Sequence, residues 1–172
     1  MIVFNQRAIP DGLLWRESSM KILKIVLSIV VVLVVVLAFL APIGPLPGLL
    51  IGGEETPVPD NWGDTSQLHE IKLKVPGTIP RVVTIWVVQY ESDLYIVGNS
   101  TSGWVKLLGT GGPVSLRIEG KTFGLNASQV VTGWQPIMLK YVDKYRPDYP
   151  DIIESFPSVE DAEGEISVFK LS

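Results

Sequence analysis

Residues 25–43 read IVLSIVVVLVVVLAFLAPI, a run in which Ser28 is the only polar side chain. Nineteen residues at 1.5 Å each give roughly 28 Å of helix, about the width of one hydrocarbon core. This stretch restricts the fold more than any other part of the chain, and it reads as a transmembrane helix. Ser28 returns its hydroxyl to a carbonyl one turn earlier, so it neither breaks the segment nor signals a pore. Pro42, Gly44, Pro45, Pro47 and Gly48 then stop the helix at the far surface. The competing reading is a cleaved signal peptide, with Lys21 and Lys24 as its charged start and Val36-Leu37-Ala38 near a cut. The run is longer than an ordinary signal-peptide core and no small-x-small site follows it, so the uncleaved anchor is preferred. A start at Met20 is compatible with either.

Charge orients the span. Arg7, Arg16, Lys21 and Lys24 precede it, whereas Glu54, Glu55, Asp60 and Asp64 follow it. The positive-inside rule therefore places residues 1–24 in the cytoplasm and the rest of a single-pass membrane protein outside, periplasmic or extracytoplasmic. With 14 Lys plus Arg against 18 Asp plus Glu, the chain offers no long basic stripe for phosphates, and a nucleic-acid partner is not expected. There is no cysteine, and His69 is the only histidine. Disulfides, thiolate cages, a cysteine nucleophile and multi-histidine metal sites are thereby excluded. His69 would have to serve any serine triad alone and no nucleophile elbow accompanies it, so it reads as a strand-face residue.

Residues 44–66 are rich in Pro, Gly and acids and read as a tether, with Trp62 near the start of a folded domain at 67–172. Ile71, Leu73 and Val75 alternate with Glu70, Lys72 and Lys74, as in a half-buried strand. Residues 81–90, RVVTIWVVQY, are apolar on both faces and read as one strand turning at 91–93 into a partner at 94–97. Asn99 to Gly103 supply cap residues for a short helix whose face is Trp104, Leu107 and Leu108. A second hairpin joins 114–118 to 122–131 through Glu119-Gly120-Lys121. Pro136 opens a helix with Ile137, Tyr141 and Tyr145 on one face and Lys140 and Lys144 outward, until Pro147. Ile152, Ile153 and Phe156 suggest a further short helix, and EISVFKL, 165–171, is a last strand. Six strands with short helices predict a mainly β, closed or half-closed small barrel.

The run from Thr84 to Val130 resembles the split β-barrel of the pyridoxamine-phosphate-oxidase-like superfamily, especially its deazaflavin-dependent nitroreductase branch. The residues that carry the likeness are Trp86, the turn from Asn99 to Gly103, Trp104 opening a helix, the strand Val114 to Ile118, Gly120, and Ala127 to Val130. The resemblance implies a six-stranded split barrel that binds FMN or a deazaflavin coenzyme, oxidoreductase chemistry, and a homodimer through the barrel. It places the cofactor among Arg81, Thr84, Trp86, Asn99, Ser100, Thr101, Ser102, Gly103, Trp104 and Lys106. Two positions depart from the branch: residues 76–80 stand where it carries a Gly/Arg/Ser-rich tract, and Leu107 stands where its helix carries Asn.

The residues themselves admit two meanings at each point. Asn99 to Gly103 at a helix N-terminus, with Arg81 and Lys106 adding charge, suit a flavin phosphate; equally, Thr101 or Ser102 caps the helix while Arg81 and Lys106 face water. Trp86 and Trp104 suit stacking on an isoalloxazine ring, or belong to the core. Tyr141, Tyr145 and Tyr149 offer a phenolic donor, or form a packing stripe. Two functions follow as expectations: a membrane-anchored flavin- or deazaflavin-binding barrel, with oxidoreductase activity implied, and a cofactor-free binding or assembly module at the outer membrane face. Whether the chain is an enzyme is left open by the sequence.

Overall fold

In the computed structural model the backbone is described for residues 12–40 and 48–172, and side chains for 20–36 and 48–172. The chain divides into two units, Met1–Ala38 and Phe39–Ser172. The first contains helix α1, Gly12–Leu40, continuous over 29 residues. Ser28 Oγ donates to the Lys24 carbonyl at 2.9 Å, so its hydroxyl is satisfied inside the helix. Among the described residues no helix is long and apolar enough to cross a membrane. The predicted span ends beyond them: the side chains of 37–40, residues 41–43 and the helix stop at Pro42 to Pro47 lie outside the described residues, as do Arg7 and the side chain of Arg16.

The second unit is built on one curled sheet. Its strands are β1 (Glu54–Glu55), β2 (Glu70–Val75), β3 (Arg81–Trp86), β4 (Val88–Tyr90), β5 (Asp93–Asn99), β6 (Gly111–Ile118), β7 (Lys121–Gln129) and β8 (Ile166–Leu171). The sheet order is β3-β2-β6-β7-β8-β5-β4, with β1 beside β7. Apart from the parallel β1–β7 contact, every pairing between these strands is antiparallel. The ends of that order, β3 and β4, are consecutive in the chain. One extended run thus pairs with β2 through its first half and with β5 through its second, and the sheet comes back onto itself. The pattern of residues 81–90 predicts a single strand. They are two, because at Val87 the run leaves one partner for the other. Counting the bent run once gives the six strands of a split barrel, with β1 as a two-residue addition.

Hairpin chemistry fixes the register. Ile118 pairs with Lys121 across Glu119 and Gly120, whose φ values of 46° and 85° make the two-residue turn that matches strand twist. Inside the barrel Ile71, Leu73, Val75, Val87, Leu94, Ile96, Leu116, Phe169 and Leu171 form a core closed at one end by helix α2, Gly103–Leu108. The predicted face of α2 is corrected in one residue: Val105 is buried with Trp104 and Leu108, whereas Leu107 is 41% exposed. Gly98 makes room for this helix. A Cβ there would stand 2.2 Å from Trp104 Cζ2, so Gly98→Ala is expected to cost about 1–3 kcal/mol by overpacking, read as a lowered denaturation midpoint.

A second core lies on the outer side of β4, β5 and β8, where Val88, Tyr95, Val97 and Val168 meet α3, Gln135–Tyr145, and α4, Pro150–Glu154. Ile137, Met138, Tyr141 and Tyr145 are the buried face of α3, with Pro136 in its first turn. Lys144, expected outward, is half-buried and turned inward.

The stretch read as a tether also differs from that expectation. Gly48 and Val82 exchange two backbone hydrogen bonds of 2.8 Å, and Thr122 Oγ1 donates to the Gly52 carbonyl. Arg117 Nη1 donates to the Ile51 carbonyl, Trp62 packs edge-on against Phe123 at 5.2 Å, and Thr65 is buried. From Gly48 onward the segment is a strap along the barrel. Its proline-rich backbone makes few ladder bonds of its own, and side chains of β6 and β7 supply the rest.

Candidate functional site

The sequence-derived site begins at Arg81, the first residue of β3, where Pro80 ends the turn from β2. Its side chain is half-buried and runs to the start of α2: a Cβ on Gly103 would meet Arg81 Nη1 at 2.4 Å. Glycine is therefore what lets the guanidinium lie against the helix backbone. Among the described residues Arg81 has no carboxylate within ion-pair distance.

The turn leading into α2 is held by its own side chains. Asn99 Oδ1 accepts from the Thr101 N–H at 2.8 Å and from the Thr101 hydroxyl, while the Ser102 N–H donates to the Asn99 carbonyl at 2.9 Å. The Ser100 N–H donates to the Glu165 carbonyl, and the Ser100 and Ser167 hydroxyls lie 3.1 Å apart. Ser102 occupies the N-cap position without making a side-chain cap bond. With six residues, α2 offers little dipole, and the anion cradle expected from its N-terminus is weak. What gathers here is the Arg81 cation, Gly103 and the polar turn at 99–102, with Lys106 exposed on the helix.

The other predicted residues do not converge on that point. Thr84 sits in mid-strand opposite Lys72 of β2. Trp86 lies against the outer core, stacked on Tyr145 with ring centroids 4.3 Å apart and planes 11° from parallel, and Tyr149 adjoins it at 4.7 Å. Trp104 is 8% exposed in the inner core, beside Phe169. The two tryptophans belong to different cores, so together they cannot clasp one ring. Arg81 beside Gly103 offers a place for an anionic group, whereas neither tryptophan stands there to stack on a ring.

Sequence reasoning missed the residues that close the barrel. Tyr145 is fully buried; its hydroxyl accepts from the Val87 N–H at 3.0 Å and lies 2.7 Å from both the Val87 and His69 carbonyls, to one of which it donates. Lys144 Nζ donates to the carbonyls of Thr65 at 3.1 Å, Leu68 at 2.7 Å and Val87 at 2.9 Å. An ammonium has three donors, and these three carbonyls use them all, so Lys144 is a structural cation with nothing left for a ligand. Burial holds its pKa below the ordinary lysine value, opposed by the charge of Asp64. Asp64 is itself held low by the Ser66 N–H that it accepts at 2.8 Å. A cavity of about 640 Å3 opens beside these groups, lined by Thr65, Gln89, Glu91, Lys140 and Asp143 among others. Burial also raises the pKa of Tyr141 and Tyr145 well above the phenol range. Tyr141 and Tyr145 thereby form a packing face whose hydroxyls stay protonated. The signal available in the sequence was Lys144-Tyr145 at the end of a helix beside a Pro, facing a strand with no obvious break.

No protein-family model matches the chain, and no curated protein matches it. Solved structures do. The chain is similar to a NimC/NimA family protein from Clostridium acetobutylicum, at 22% identity and a TM-score of 0.43 over 60% of this chain and 73% of that one. It is similar to HutZ, the heme storage protein from Vibrio cholerae, at 16% identity and a TM-score of 0.44 over 62% of this chain and 83% of that one. A third likeness is to an F420 reductase, at 14% identity and a TM-score of 0.42 over 66% of this chain and 94% of that one.

Proposed function

We propose that this is a membrane-anchored split barrel that binds a phosphate-bearing cofactor of the flavin or deazaflavin class, with Arg81 meeting the phosphate. The observation that carries the reading is the Arg81 guanidinium, half-buried against Gly103, with no carboxylate partner among the described residues. A half-buried guanidinium without a carboxylate partner is free to take an anionic group at that spot. When bound, such a cofactor supplies the electron transfer; the chain's own contribution is binding and orientation. Full-length protein extracted from membranes in mild detergent is expected to quench the fluorescence of added FMN or deazaflavin at micromolar concentration. A colourless protein that binds neither leaves the second reading, a cofactor-free binding or assembly module. One observation favours that alternative: both tryptophans spend their faces on packing, Trp86 on Tyr145 and Trp104 on the inner core.

The membrane half of the proposal rests on α1. From Ile22 to Val36 its large apolar side chains are 47% to 67% exposed, which in water would be a severe hydrophobic cost and in lipid is none. Lys21 and Lys24 precede the uncharged run that begins at Ile25, so the N-terminus lies inside and the barrel outside. Protease added to intact spheroplasts is expected to digest the barrel. Full protection of the barrel contradicts the orientation, and release of the protein by carbonate contradicts the anchor.

A further inference from the structure

A cavity of about 460 Å3 opens where β7 and β8 part, and we infer that it binds a small organic cation with an apolar body and a hydrogen-bond acceptor. The inference depends on neither the membrane anchor nor the flavin. The register makes the cavity. β7 and β8 pair only from Ala127 opposite Leu171 to Gln129 opposite Phe169, and one further bond runs from the Val130 N–H to the Val168 carbonyl at 2.8 Å. Beyond that bond Ile166 and Ser167 keep β5 on one side and have no strand on the other. The gap is lined by Ser100, Val131, Trp134, Glu163, Ile166 and Ser167 among others. Its volume lies in the range of about 300–1,000 Å3 usual for small-molecule sites.

The lining specifies the ligand's chemistry. Ser167 is 6% exposed, and its hydroxyl lies 3.1 Å from that of Ser100, with either able to donate. Two hydroxyls carry two hydrogens and their mutual bond uses one, so the other is left without an acceptor among the described residues. That hydrogen suits a carbonyl on the ligand. The Ile166 carbonyl lies two residues from that of Val168 and points to the same side of the strand, where no donor among the described residues meets it. It accepts from an ammonium. Glu163 is exposed and in no ion pair among the described residues, and residues 147–169 hold seven Asp or Glu and no Lys or Arg. The mouth therefore favours a cation over an anion. Val131 is 76% exposed. Trp62, Trp86 and Trp104 each lie against another aromatic ring, whereas half-buried Trp134 meets none among the described residues. Its indole is open to an apolar body that carries a positive charge.

Three probes sharing one benzene ring test each part. They are 4-(aminomethyl)benzamide, which has both the ammonium and the carbonyl; benzylammonium, which lacks the carbonyl; and 4-carbamoylbenzoate, which keeps the carbonyl and reverses the charge. Each is titrated into the full-length chain in non-ionic detergent and followed by ligand-observed NMR. The first is expected to bind at about millimolar concentration, as suits a fragment of its size. Benzylammonium is expected to bind about three- to tenfold more weakly for want of one hydrogen bond, and the anion more weakly still. Glu163→Gln, at an exposed site, is expected to weaken both cations about two- to fivefold. In the double variant Ser100→Ala/Ser167→Ala the advantage of the amide over benzylammonium is expected to vanish, with an unchanged urea midpoint showing that the barrel is intact. Should that variant fail to fold, the three probes on the unaltered chain and on Glu163→Gln still decide. No binding of the first probe, equal binding of the anion, indifference to Glu163→Gln, or an amide advantage that survives the loss of both hydroxyls overturns the inference. Displacement of the probe by FMN also overturns it, because the cavity then belongs to the cofactor. Arg81 does not line this cavity, so Arg81→Ala tests the flavin reading separately.

Discussion

Replacing Tyr145 by phenylalanine is expected to lower unfolding stability by about 1–3 kcal/mol, although it removes a single oxygen atom. Among the described residues that oxygen is the only acceptor for the Val87 N–H, at 3.0 Å, at the point where the extended run leaves β2 for β5 and its amide is outside both ladders. An orphaned buried N–H costs its full desolvation penalty. Lys144→Met is expected to cost a similar amount, as the carbonyls of Thr65, Leu68 and Val87 each lose a charged donor, partly offset by relief of the buried ammonium. The two changes share the Val87 carbonyl, so the double variant should lose more than the sum, with a coupling of about 0.5–3 kcal/mol. Trp86, stacked on Tyr145, provides the fluorescence signal for urea unfolding of the detergent-solubilised chain. An unchanged midpoint in Tyr145→Phe would show that the barrel does not close through this residue.

The same tyrosines make the protein sensitive to alkali. Desolvation is the main cause that raises the pKa of both Tyr141 and Tyr145 in the folded state, while an unfolded tyrosine titrates near 10. Below pH 10 both states are protonated and the stabilisation is complete. Above it the unfolded chain binds fewer protons than the native one, so stability falls by up to about 1.4 kcal/mol per pH unit for each of the two groups. Lys144 works in the opposite sense. Its folded pKa is depressed, so its share rises as pH climbs toward the ordinary lysine value of 10.5 and is flat beyond it. The net expectation is a stability that turns over near pH 10 and then drops. Tyr145→Phe should remove about half of the later slope, measured as urea midpoint against pH. A flat profile from pH 9 to 12 would contradict the burial of these hydroxyls.

Much of this barrel is legible in the sequence because its strands carry period-two patterns with turn residues between them. Ile71, Leu73 and Val75 of β2 face the inner core as their alternation requires, and Glu119-Gly120 turns where its chemistry demands. The failures have physical causes. The break at Val87 leaves no mark in RVVTIWVVQY, because each half of the run is covered on both faces and what changes is its partner. The charge of Lys144 predicts a side chain in water, yet a long apolar stem can carry an ammonium to three carbonyls that no local pattern announces. The prolines of the strap suggested a free linker, since proline forbids ladder bonds; the bonds from Arg117 and Thr122 come from residues far along the chain. Arg81 lies beside Gly103 of the 99–103 turn whereas Trp86 lies apart from it, because strand periodicity does not say which of two cores a residue will join.

The most direct measurement is the affinity of the full-length chain for FMN and for the deazaflavin, compared between the unaltered protein, Arg81→Lys and Arg81→Ala. A charged contact to phosphate is worth about 1.5–3 kcal/mol, so Arg81→Ala is expected to weaken binding roughly ten- to a hundredfold, with Arg81→Lys in between. Binding of neither cofactor, or binding that Arg81→Ala leaves unchanged, contradicts the account.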